Sequence, residues 1–151
     1  MHINYYLDGF AKDEKLFIDN VMQDPRGWVG LGYSFTMLAR RKNTDVIILK
    51  RSNKQIHDRF PRIDLLGLSV TNLAVTPTEI WINNNNWVHK PKDFIGDMKL
   101  YREYIIQHEM GHAIGYKHDK PLQGKKCPVM YQQTRGTLNL CEANPWRTYE
   151  N

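Results

Sequence analysis

Residues 108–118 read HEMGHAIGYKH, with three histidines, one glutamate and two glycines in eleven positions. In an α-helix each residue turns about 100°, so His108 and His112 lie about 40° apart on successive turns. Both imidazoles can then reach one metal ion from a rigid base. Glu109, one step on, stands beside that ion, where a carboxylate can accept a proton rather than act as a ligand. His118 would lie far along the axis if the helix continued. Gly115 removes the difficulty, because glycine takes the left-handed conformation that ends a helix and turns the chain back.

Three histidines with an open fourth position describe a catalytic zinc site; structural sites usually have four protein ligands, often including cysteine. Zinc can bring the pKa of a bound water down toward about 7 and polarise a scissile carbonyl. Glu109 would take that water's proton and pass it to the leaving amine. The bland reading, a surface helix with solvated histidines, leaves Gly111 unexplained, since a mid-helix glycine costs about 1 kcal/mol relative to alanine. Another backbone packing closely at Gly111 would account for it in part. His2, His57 and His89 are isolated and read as surface or loop residues.

The element carrying this stretch is the best helix in the chain, GDMKLYREYIIQHEMGHAIG, with Asp97 as N-cap and Leu100, Tyr104, Ile105 and Ile106 as apolar surface. Upstream, INYYLDG and GYSFTML alternate as strands, and DEKLFIDNVMQ has helical spacing that ends at Asp24-Pro25. TDVIILK carries four consecutive aliphatics, the pattern of a strand buried on both faces. Lys50 to Leu65 is polar and irregular and reads as a long loop. GLSVTNLAV and EIWINNNNW read as two strands around a TPT turn, with Asn83 to Asn86 running out into a loop. Residues from about 119 to 151 show little periodicity, so something other than regular structure must pin them.

A chain of 151 residues fits one domain. The longest aliphatic run, Val46 to Leu49, is far too short to cross a bilayer, and the first thirty residues hold no apolar run of signal-peptide length. The chain as written is therefore expected to be soluble, with its compartment left open. The net charge of +5 is spread over short clusters, ARRK, KRSNK and GKK, none interleaved with aromatics for stacking bases. A solvated surface is expected, and no nucleic-acid partner. Cys127 and Cys141 are too few for a disulfide framework; their spacing suits one bridge or two free thiols equally.

His108-Glu109-x-x-His112-x-x-Gly115-x-x-His118 resembles the long zinc-binding motif of the metzincin metallopeptidases. CPVMYQQT stands where that clan has its methionine turn, and the resemblance makes Met130, twelve residues after His118, the floor beneath the metal. Asp119 follows the third histidine as in snapalysin-like members, which implies a salt bridge or cap tying the motif to the domain. DPRGW, YREYIIQHEMGHAIGYKH, CPVMYQQT and CEANPW are together similar to a small bacterial metzincin-like domain family, in which the cysteines beside the turn look suited to pair.

The resemblance implies an α+β, metzincin-like (zincin) fold, with a twisted mixed sheet, a backing helix and an active-site helix. Residues 1–118 would form the N-terminal subdomain and 119–151 a short irregular C-terminal one. It implies a zinc-dependent metalloendopeptidase with one Zn2+ on His108, His112 and His118, acting on a peptide or protein substrate. The alternative is a non-catalytic zinc-containing binding module, against which the intact Glu109 speaks. Substrate would lie extended along an edge strand, expected at Glu79, Ile80, Trp81 and Ile82. Lys125 and Lys126, in the segment expected to wall the pocket, would favour an acidic side chain. Clan members often carry a tyrosine two residues after the turn methionine. Here Gln132 holds that position and Tyr131 comes one residue early, so Tyr131 is not expected to reach the metal.

Overall fold

The computed structural model describes residues 1–61, 68–121, 124–134 and 140–147. Five strands form one sheet: β1 (His2–Asp8), β2 (Ser34–Met37), β3 (Val46–Arg51), β4 (Val70–Asn72) and β5 (Thr78–Asn83). Their order is β2-β1-β3-β5-β4; all neighbours are parallel except β4, which runs antiparallel to β5 at the edge. Parallel strands need both faces covered. The central β3 obeys this, with Val46 to Leu49 all buried.

Alternation along the strands sends two side-chain sets to opposite faces. Ile3, Tyr5, Leu7, Val46, Ile48, Ile80 and Ile82 join the main core with two helices, α1 (Lys12–Gln23) and α4 (Met98–Ala113). From α1 come Ile18, Val21 and Met22; from α4 come Tyr101, Tyr104, Ile105, Ile106 and Met110. Burying one such aliphatic side chain contributes roughly 1.5–3 kcal/mol. On the opposite face Phe60 meets the Trp81 ring edge-on at 5.5 Å between centroids.

Two expected loops are helical instead. Within the stretch from Lys50 lies α2 (Asn53–Arg59), started by a reciprocal cap: Gln55 N–H donates to Ser52 Oγ at 3.1 Å and Ser52 N–H to Gln55 Oε1 at 2.9 Å. The cap and the single buried Ile56 outweigh the polar sequence. The rest of that expected loop, 62–65, lies outside the described residues. In the asparagine run, Asn83 Oδ1 accepts from Asn85 and Asn86 N–H and starts α3 (Asn84–Val88), which the buried Trp87 anchors.

The expected substrate edge also changes place. β5, with Glu79, Ile80, Trp81 and Ile82, is paired to β3 on one side and β4 on the other, so it has no free edge. Among the described residues the edge strand on that side is β4, the sheet's other edge being β2. Chain order suggested β5 because it is the last strand before α4, but β4 lies outside it in space. Among the described residues no helix is long and apolar enough to cross a membrane.

Candidate metal centre

Asp97 caps α4, its side chain accepting from Leu100 N–H at 2.8 Å. At the other end Gly115 has φ of +105°, with its N–H on His112 O and Tyr116 N–H on Gly111 O. That pair of bonds is a Schellman stop, which satisfies the last carbonyls and reverses the chain. The reversal returns His118 to the helix. Its ring lies 4.6 Å from that of His112 and 5.3 Å from that of His108, centroid to centroid. One ligand atom from each of the three histidines lies within 4.8 Å of the others.

Two of the three rings are held in one tautomer by backbone. His108 Nδ1–H donates to Val129 O at 2.7 Å and His112 Nδ1–H to Tyr116 O at 2.9 Å. Each Nε2 then carries a bare lone pair, and His112 Nε2 stands 3.0 Å from His118 Nε2. Burial pushes the His108 pKa down to about 3, helped by the neighbouring His112 and His118 and opposed by the Val129 bond. His112 is lowered by burial too, against the Tyr116 bond. His108 and His112, kept neutral by burial and oriented from behind by carbonyls, could with His118 hold a metal ion.

Glu109 is buried beside this cluster. Burial pushes its carboxyl up to about 7, and the Thr71 hydroxyl pulls the other way. Thr71, on β4, donates toward Glu109 Oε1 at 3.3 Å and its carbonyl at 3.2 Å. A cleft of about 270 Å³ opens here, lined by Leu68, Val70, Leu73 and Ile105 on its apolar parts, by Ser69, Thr71, Gln132 and Thr134, and by the three histidines with Glu109. Neither Tyr131 nor Lys125 nor Lys126 is part of that lining. The two lysines are exposed, and Lys126 pairs its backbone with Glu142.

Met130 is buried against the helix at Gly111, where an added Cβ would meet its sulfur and Trp28 Cζ2. The close neighbours at Gly111 are thus side chains, not another backbone. Cys127 and Cys141 form a disulfide at the root of this turn. Gln133 and Asn144 close it further: Gln133 Nε2 donates to Pro128 O and Asn144 O, and Asn144 Nδ2 to Cys127 O. Asp119 ties the motif to the turn by backbone, its N–H on Met130 O at 2.9 Å. Its side chain is exposed and makes no ion pair among the described residues, so the expected salt bridge or cap gives way to a main-chain bond.

Sequence reasoning missed three supporting residues. Trp28 donates its indole N–H to Gln107 O and stacks on Tyr116, whose carbonyl orients His112. Tyr104 donates to Tyr131 O and accepts from Gln133 N–H. Thr71 reaches Glu109 from a strand with no motif of its own. Trp28 and Tyr104 each left a signal, as parts of DPRGW and YREYIIQHEMGHAIGYKH, and Thr71 left none.

The solved structure of myroilysin is similar to this chain, with a TM-score of 0.51 and 12% identity, over 78% of this chain and 49% of that one. The chain therefore spans about half the length of that protein, and at this identity the likeness is one of fold. No curated protein matches the chain. A family model described as "Protein of unknown function (DUF3152)" matches residues 6–149, nearly the whole chain, and the protein belongs to that family.

Proposed function

We propose that the chain is a zinc-dependent metalloendopeptidase. The observation that carries this reading is the convergence of three histidine nitrogens at a cleft, with a buried carboxylate beside them. The likeness to myroilysin supports it at the level of a distant metallopeptidase-like fold.

His108, His112 and His118 would hold the ion, and Val129 and Tyr116 keep two of the rings in the ligating tautomer. Zinc in that position supplies a Lewis acid and an acidified water. Glu109 accepts a proton on its carboxylate and returns it to the leaving amine; a pKa near neutrality suits both transfers. Leu68, Leu73 and Ile105 offer apolar surface to uncharged side chains of the substrate. With the two lysines outside the lining, an uncharged residue fits the cleft better than an acidic one. An extended peptide would pair with the free edge of β4, not with β5.

The test is cleavage of an unfolded protein by zinc-loaded wild type and by Glu109→Ala. The reading expects fragments from wild type and a loss of about 10²- to 10⁴-fold in the variant. Zinc retained by both proteins without cleavage by either would replace it with the binding-module reading.

A further inference from the structure

Glu109 lies almost wholly out of solvent, and a carboxylate in that setting needs hydrogen-bond donors to hold its charge and its orientation. Among the described residues, the side chain that bonds it is Thr71, across 38 positions of sequence. The hydroxyl has one proton and two acceptors within reach, Oε1 at 3.3 Å and the Glu109 carbonyl at 3.2 Å. The one proton is shared between them, and either bond ties Glu109 to the sheet. Thr71 pairs with Ile80 of β5, which faces the core, so pleating directs the Thr71 side chain toward α4. A register slip of one residue would send Val70 or Asn72 to this place instead.

The partner strand gives this bond its interest. β4 is short, borders the cleft and, of the two edge strands among the described residues, is the one bonded to α4. We propose that Thr71 is a positioning residue, which fixes the Glu109 carboxylate relative to the edge strand on which an extended peptide would lie. Its effect on turnover rests on the peptidase reading above. The strand that aligns the substrate backbone and the group that moves the proton are then joined by one hydroxyl. A carboxylate misplaced by about 1 Å is enough to cost on the order of 100-fold in rate.

Thr71→Val removes the hydroxyl at nearly constant shape, and Thr71→Ser keeps it. In zinc-loaded proteins of equal metal content, Thr71→Val should lower kcat roughly 10- to 100-fold with KM changed by less than about twofold, and Thr71→Ser should recover most of the loss. A kcat in Thr71→Val within about twofold of wild type would overturn the assignment. So would a loss that Thr71→Ser does not repair. A second measurement needs no turnover: the side-chain carboxyl carbon resonance of Glu109. It should shift in Thr71→Val and return to the wild-type position in Thr71→Ser. An unchanged resonance in Thr71→Val overturns the role even if no peptide is ever cut. Absence of cleavage by wild type, with the resonance responding as expected, overturns the peptidase reading and leaves the contact standing.

Discussion

Gly111 on α4 lies directly against Met130, and the thioether sulfur fills the space that a Cβ on that helix position would need. Trp28 closes the same space from another side, its Cζ2 at 2.6 Å from the Cβ position. Helix and Met130 thus meet without an intervening methyl group. The glycine's cost in helix propensity is offset by the approach it permits.

Gly111→Ala should therefore destabilise the protein. On an exposed helix the change would gain about 1 kcal/mol. Here overpacking against Met130 and Trp28 should outweigh that gain, for a net loss of about 1–3 kcal/mol in urea unfolding. A variant more stable than wild type would show that Met130 and Trp28 can move aside.

Tyr104→Phe should loosen the turn whose Val129 carbonyl holds His108. The phenol O–H donates to Tyr131 O at 3.0 Å and accepts from Gln133 N–H at 3.1 Å. Its removal strands the buried Gln133 N–H, at about 1–3 kcal/mol. Because Val129 of the same turn orients His108, zinc affinity should also fall, by about tenfold. An unfolding midpoint and a zinc titration both equal to wild type would contradict the coupling.

Acid sensitivity should trace in part to Glu14. Burial raises its pKa, but the Ala11 N–H, the Lys50 ammonium and the Trp87 indole together outweigh that and hold it below the ordinary 4.5. A depressed folded-state pKa means stability that is present above the unfolded value and lost as pH falls through the folded one. Wild type should thus be more stable than Glu14→Gln near neutrality, and the gap should close from about pH 4.5 downward. Thermal midpoints that stay equally separated down to about pH 2 would rule out the linkage.

What could be read in advance was what is local. Asp97, the histidine spacing and Gly115 specify a helix, its contents and its stop within twenty residues, and the structure has the cap, the convergence of the three rings and the stop. Two short helices were hidden because their signal is a cap rather than a periodicity: Ser52 with Gln55, and Asn83 with the amides after it. Strand order was hidden for another reason. Nothing in β4 or β5 states which lies outermost, since that depends on pairing with β3, about thirty residues earlier in sequence. Thr71 inherits the same obscurity, because its partner lies on another element.

The most direct measurement is the zinc content of the purified protein, by mass spectrometry of the native chain and by elemental analysis. One zinc per chain is expected, with stoichiometric binding lost in the variant lacking the imidazoles of His108, His112 and His118 and retained in Glu109→Ala. A wild-type chain that takes up no zinc, or a triple variant that binds it as wild type does, would contradict the account at its centre.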